Sequence, residues 1–174
     1  MIISVEQAKK HIKTNETDEV LEAKLQALEL LIRKYTNNNF QNRNIRFTSP
    51  ALNNELYLST PLLKVGDTIE ISQSMYNDGL FMIKAINNYT ITLDKPLIDE
   101  TKMLVTKVVY PFDVQMGIIN MLKWDLDNRN KIGIASESIS RHSVTYFNMD
   151  GDNSSIGYPK SLIGFLKPYM KARF

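Results

Sequence analysis

The two histidines, His11 and His142, are the first candidates for chemistry, because imidazole is the usual general acid or base near neutral pH. His11 lies among lysines in a helical pattern, which predicts an exposed surface residue. His142 follows Arg141 in a polar stretch, and the carboxylate nearest to it in sequence is Glu137. Neither histidine has the partners that a catalytic pair requires, so the sequence predicts no catalytic residue.

Metal and cofactor motifs give the same prediction. The stretch 150–154 resembles a calcium loop, but Ser155 and Ser161 stand where an EF-hand requires glycine and glutamate. The chain has no cysteine, which excludes thiolate catalysis and cysteine-based zinc sites. Glycine-rich phosphate loops and a nucleophile elbow are absent from the sequence. We therefore expect a non-enzymatic protein that binds no metal and no cofactor.

The C-terminal stretch 158–174 combines basic and aromatic residues and contains no acidic residue. Its candidate binding residues are Lys160, Phe165, Lys167, Tyr169, Lys171, Arg173 and Phe174. Three interpretations fit this composition. The stretch can dock onto a protein partner, where aromatics and arginine dominate binding energy, or pack as a helix on its own core. It can also contact nucleic acid through its charges and rings.

The overall composition limits the possible classes. Of 174 residues, 43% are hydrophobic, which is enough for a substantial core. The net charge of +2 is too small for a dedicated DNA-binding or membrane-surface protein. No apolar run approaches the roughly 20 residues that cross a bilayer, so we expect no membrane association.

Two helices are predicted between residues 4 and 40. Ser4 and Gln7 form a capping-box pattern at the start of the first, and Asn15 is the expected cap of the second. An apolar stripe with steps of three and four residues follows: Leu21, Leu25, Leu28, Ile32 and Tyr35.

The stretch 43–110 changes to a period of two, which predicts five short strands. The alternating pairs are Leu56/Leu58, Ile69/Ile71, Phe81/Ile83, Ile91/Leu93 and Met103/Val105. Turn-forming Asn, Asp, Gly and Pro residues lie between the pairs, as in a small barrel or sandwich. Seven basic and seven acidic residues cancel in 41–110.

Helical patterning returns at Pro111 and continues to about residue 130. Its apolar residues cover the helix almost completely, which predicts burial on more than one side. A polar stretch, 134–158, follows, and Pro159 starts a last short helix. The predicted class is α+β: a small helical bundle, 1–42 with 111–174, interrupted by an inserted five-stranded β-barrel or sandwich-like module, 43–110.

The two ends of the chain resemble the head–tail connector (adaptor, or head-completion) proteins of long-tailed bacteriophages. The stretch 5–12, VEQAKKHI, and the helix that ends near Tyr35 are similar to their N-terminal helical hairpin. The stretches 139–146, ISRHSVTY, and 158–166, YPKSLIGFL, are similar to their closing segment. The β-module departs from the smallest, all-helical members.

This resemblance implies a structural adaptor subunit in a homo-oligomeric, dodecameric ring. The ring would sit beneath the portal protein, extend the DNA channel and join the head to the next tail-side completion or stopper protein. Packaged DNA would pass through without sequence-specific binding. The expected location is the virion, with assembly in the host cytoplasm.

The resemblance also suggests roles for the two candidate surfaces. The basic C-terminal stretch would dock onto the portal, and the polar loop around Arg141, His142 and Tyr146 would line the channel. The alternative from the residues alone is a nucleic-acid-binding module, which would use the β-insertion and the basic C-terminal tail.

Overall fold

The computed structural model describes residues 2–128, 136–139, 142–145 and 152–172, and it is a mixture of helices and strands, as the sequence predicts. Two compact units are present: Met1–Asn38 with Tyr110–Phe174, and Asn39–Val109. The first, the helical unit, contains α1 (Val5–Lys9), α2 (Asp18–Thr36), α3 (Phe112–Asn128), β7 (Ser136–Ile139), β8 (His142–Thr145), β9 (Ser154–Ser155), β10 (Tyr158–Pro159) and α4 (Lys160–Ile163). The second, the barrel unit, contains β1 (Gln41–Leu52), β2 (Glu55–Leu56), β3 (Thr68–Ser72), β4 (Gly79–Ile86), β5 (Ile91–Leu93) and β6 (Glu100–Val108).

The starts of α1 and α2 are set by side-chain caps. The predicted capping box at α1 is present: the Gln7 amide donates to the Ser4 hydroxyl, and the Gln7 side chain accepts from the Ser4 amide. At α2 the cap is Thr17, whose hydroxyl accepts from the Val20 amide. The predicted cap, Asn15, is therefore wrong by two residues. Thr17 directly precedes the helix and has the extended backbone that a cap requires.

Replacing Thr17 by alanine is expected to lower the free energy of unfolding by about 1 kcal/mol, because an amide of the first helical turn loses its acceptor. Asn15→Ala is the matched control and should change it by less than about 0.5 kcal/mol. Urea denaturation of both variants measures the difference. A larger loss for Asn15→Ala would restore that residue as the cap.

The helical core lies between α2 and α3, which pack against each other. The stripe of α2 is buried except for Tyr35, which is half-buried. The buried residues of α3 are Val114, Gly117, Ile118, Ile119, Met121 and Leu122. Glu29, which lies off the stripe, is also buried, and its carboxylate accepts from the Tyr110 hydroxyl at 2.6 Å. Burial, with the Glu29 charge beside it, raises the pKa of Tyr110.

The predicted helical bundle is not confirmed. In the described residues, α2 and α3 are the α-helices longer than five residues, with 19 and 17. The chain after α4 tightens into a 3₁₀ helix, Gly164–Tyr169, which contains Pro168. Proline cannot donate the hydrogen bond that an α-helix interior needs, so a long closing helix cannot form there.

The barrel is closed and antiparallel, with the strand order β1-β2-β5-β4-β3-β6. Its strand count is six rather than the predicted five, because β1 was missed. This strand is mostly polar, its residues Ile45 and Phe47 are only half-buried, and Pro50 interrupts it. Pro50 lies at a register shift against β6, a place where a strand tolerates proline.

The core of the barrel follows the alternation of the sequence. Of the ten residues in the predicted alternating pairs, all are buried except Leu58, which is half-buried and packs against the others. Closure brings the two ends of the unit side by side. Gln41 pairs with Val108, and the Val109 amide donates to the Phe40 carbonyl at 3.0 Å.

Candidate protein-binding site

The C-terminal stretch begins as part of the helical core. Tyr158 is buried, its hydroxyl donates to the Asp125 carboxylate at 2.8 Å, and its ring lies tilted against Trp124 at 5.4 Å between centroids. The following α4 buries Ile163. This part of the stretch therefore matches the core-packing interpretation.

The two central aromatics of the stretch also contact the helical unit. The Phe165 ring lies against Gly117 of α3, so close that a Cβ built on this glycine would stand 2.1 Å from a ring carbon. The Tyr169 hydroxyl lies 2.7 and 2.8 Å from the two oxygens of the Asp113 carboxylate. That hydrogen bond raises the pKa of Tyr169. Both side chains thus hold the stretch onto α3.

The end of the stretch is bound to the C-terminus of α2. Asn38 donates from its side chain to the Tyr169 carbonyl at 3.1 Å, and Asn37 donates to the Ala172 carbonyl at 2.7 Å. The Lys171 amide donates to the Thr36 carbonyl at 2.8 Å. The Lys171 bond satisfies a carbonyl that the end of α2 leaves without an intrahelical partner.

The described lysines of the stretch are exposed to solvent. Lys160, Lys167 and Lys171 are exposed, and the Lys160 ammonium donates to the Asp152 carbonyl at 2.7 Å. Arg173 and Phe174 lie outside the described residues. The stretch therefore presents lysines on a backbone that its aromatics and amides fix in place.

Of the predicted channel residues, His142 is placed by its backbone alone. It begins β8 and pairs with Ile139 of β7. Arg141 and Tyr146 lie outside the described residues. The stretch predicted to be a polar loop contains a pair of antiparallel strands, β7 and β8.

A surface that the sequence did not single out lies between α1 and α3. It is a pocket of about 260 Å³ lined by Ile3, Gln7, Lys10, His11, Phe112, Gln115, Met116 and Ile119, hereafter the α1–α3 groove. Phe112 is 84% exposed and Met116 46% exposed, so two large apolar side chains of α3 face solvent here. The apolar residues that cover α3 almost completely are the sequence feature that could have indicated this groove. His11 is exposed, as predicted, and lies at this groove.

A second missed surface is the loop between β3 and β4, residues 73–78, hereafter the β3–β4 loop. Met75 is 81% exposed and Tyr76 is 62% exposed. Beneath them Asn77 is buried, donates to the Ile98 carbonyl and accepts from the Ile98 amide, both at 2.8 Å. The exposed Met75 and Tyr76 are thus adjacent in sequence to a buried asparagine whose hydrogen bonds to the Ile98 backbone hold the loop in place.

Glu100 also holds the β3–β4 loop in place. Its carboxylate accepts from the Ser74 hydroxyl, from the Met75 amide at 2.9 Å and from the Asn77 side chain at 3.2 Å. The Ser74 hydrogen bond, followed by that of the Met75 amide, lowers the pKa of Glu100 below its usual 4.5. A carboxylate with a lowered pKa stabilises the fold above the unfolded-state pKa, and this contribution is lost as the pH falls through the folded-state pKa.

We therefore expect Glu100→Gln to be less stable than the wild type at neutral pH, with a difference that shrinks on acidification below about 4.5. Urea-denaturation midpoints measured over that pH range test the expectation. A difference that stays constant with pH would contradict it.

Neither metal ligation nor membrane crossing is indicated in the part of the chain that the structure describes. It contains no group of three or more His, Cys, Asp or Glu residues arranged to hold a metal ion. None of its helices combines the length and the apolar character needed to cross a bilayer.

Comparison with known proteins returns no match to this chain, either among protein-family models or among curated proteins.

Proposed function

We propose that the chain is a structural adaptor subunit that assembles into a ring beneath a bacteriophage portal, extends the DNA channel and joins head to tail. The observation that carries this proposal is the α1–α3 groove, where Phe112 and Met116 expose apolar surface beside a pocket of the helical unit. Exposed apolar surface of this kind marks sites where proteins associate. The groove is lined by residues of α1 and α3. The helix α1 lies within the stretch 5–12, which is one of the stretches that resemble connector proteins.

The C-terminal stretch supplies the proposed portal contact. Lys167 and Lys171 would steer the encounter with an acidic surface of the portal, because exposed charges mainly raise association rates. Phe165 and Tyr169 act indirectly in this proposal, since they hold the backbone on α3 and so position the lysines. Arg173 and Phe174 remain candidates for direct contact with the portal.

The segment 139–146, which contains Arg141, His142 and Tyr146, is proposed to face the channel. The proposal rests on its polar sequence and on the resemblance of 139–146 to the connector family.

The experiment that tests the adaptor role mixes the purified chain with portal rings encoded by the same genome. Electron microscopy and native mass spectrometry should then show a second ring of several copies stacked on each portal. Lys167→Ala/Lys171→Ala should lower the association rate and weaken its salt dependence, whereas the control Lys84→Ala/Lys102→Ala, on exposed barrel lysines, should not. A chain that stays unbound beside intact portal rings would overturn the proposal.

The alternative, a nucleic-acid-binding module, draws on the closed barrel and the exposed lysines. The cancelled charge of 41–110 counts against it, because phosphate contacts need a basic surface. Salt-dependent DNA binding by the isolated chain, without portal binding, would favour this alternative.

A further inference from the structure

We propose that the β3–β4 loop of one copy inserts Met75 and Tyr76 into the α1–α3 groove of a second copy. This inference rests on the proposed function, since it names the contact by which neighbouring subunits of the ring would recognise each other.

The β3–β4 loop is held by a network of hydrogen bonds, and two of its side chains are exposed. The Ser74 amide donates to the Asp78 carboxylate at 2.9 Å, and the Ser74 hydroxyl accepts from the amides of Tyr76 and Asn77 at 3.2 and 2.7 Å. With the Asn77 and Glu100 bonds, this network fixes the loop while Met75 and Tyr76 stay in solvent. A loop that is ordered before binding loses little conformational entropy on association.

The α1–α3 groove has the size and chemistry to receive the side chains of Met75 and Tyr76. Its volume of about 260 Å³ lies below the roughly 300–1,000 Å³ of small-molecule sites, and suits one or two side chains better than a whole ligand. Phe112, Met116 and Ile119 offer apolar contacts. Methionine and aromatic side chains pack well on each other, and both residue classes are enriched in interface cores.

The charges of the two surfaces are complementary. The groove is lined by one cationic residue, Lys10, and by no acidic residue. The β3–β4 loop carries Asp78, rests on Glu100, and contains no basic residue. Such complementarity favours this pairing over the contact of two identical grooves or two identical loops, each of which would place like charges together.

The pairing joins different surfaces of the two copies, so it is heterologous. A heterologous contact repeats from copy to copy, and it closes into a ring when the rotation between neighbours divides a full turn. This is the kind of interface that the proposed ring requires.

The absence of native cysteine allows a direct test by disulfide trapping. Met75→Cys and Met116→Cys are made on separate chains, one of them isotopically labelled, then mixed and oxidised alone and on portal rings. Each chain has a single thiol, so only a contact between copies gives the mixed disulfide. The control pairs Met75→Cys with Leu30→Cys, an exposed α2 position outside the groove.

The mixed Met75–Met116 disulfide should form at least about tenfold faster than the control, because a specific contact raises the local concentration of the two thiols. Tyr76→Ser should weaken self-association about tenfold or more, as for an interface tyrosine. Tyr89→Ser, which removes a tyrosine 73% exposed on the β4–β5 turn, should not weaken it. Melting curves verify that every variant folds.

Trapping at the control rate in both samples, or trapping mainly between like positions, would overturn the inference. If portal rings still acquire the chain in that case, the adaptor proposal stands and only the contact is wrong. If the mixed disulfide forms efficiently but no chain binds portal rings, the contact stands and the adaptor proposal fails.

Discussion

Gly117→Ala is expected to lower the free energy of unfolding of the helical unit by roughly 1–3 kcal/mol, as overpacked cores do. The added methyl would stand 2.1 to 2.5 Å from three atoms of the Phe165 ring, so the ring must move off α3. Alanine is intrinsically better than glycine in a helix by about 1 kcal/mol, which offsets part of the loss. Thermal and urea denaturation followed by helical circular dichroism measure the net effect.

Two comparisons isolate the cause of that loss. Gly164→Ala is the matched control, because the Gly164 backbone is helical and nothing lies within 4 Å of an added Cβ. It should be neutral or slightly stabilising. Phe165→Ala should remove most of the penalty of Gly117→Ala, so the double variant should be more stable than the two single losses predict. If the losses of the two single variants simply add in the double variant, the Phe165 ring is not the cause of the destabilisation by Gly117→Ala.

Asn77→Ala is expected to destabilise the barrel unit by roughly 2–4 kcal/mol. The substitution removes both bonds to the Ile98 backbone and the bond to Glu100, and it leaves polar groups without partners beside a buried site. The β3–β4 loop also loses its support, so amide hydrogen exchange at Met75 and Tyr76 should accelerate. Urea denaturation and exchange measurements on the same variant check both effects.

Asn88→Ala is the control for Asn77→Ala, because Asn88 is exposed in the β4–β5 turn. Its effect should stay within about 0.5 kcal/mol. Equal effects of the two substitutions would contradict the structural role assigned to Asn77.

Much of the fold follows from local patterns. The period of two in 43–110 predicts the buried positions of the barrel, since only alternate residues of a strand face its interior. The Ser4–Gln7 cap and the α2 stripe are equally local, and the structure confirms both. The strand β1 was missed because its apolar alternation stops after Ile45 and Phe47. Ser49, Pro50 and Ala51 follow, at a register shift against β6.

The remaining features depend on partners distant in sequence. The sequence pattern predicts Glu29 to be a surface residue of α2, and its buried hydrogen bond is to Tyr110, 81 positions later. Composition marks 158–174 as basic and aromatic. Whether Phe165 and Tyr169 face outward, however, is decided by Gly117 and Asp113 on another helix. The two exposed apolar surfaces depend in the same way on which side chains the fold leaves uncovered.

The paired ends of the barrel unit have a consequence for how the chain folds. The helices α2 and α3 belong to one unit but are separated by the whole of Asn39–Val109. Closing an unstructured loop of about 70 residues costs on the order of 4 kcal/mol in chain entropy. Once the barrel has formed, the bond between Phe40 and Val109 already holds the loop ends together. The folded barrel therefore acts as a short, hydrogen-bonded connection between α2 and α3. A chain with an unfolded barrel would have to bring the two helices together against the full entropy of the loop.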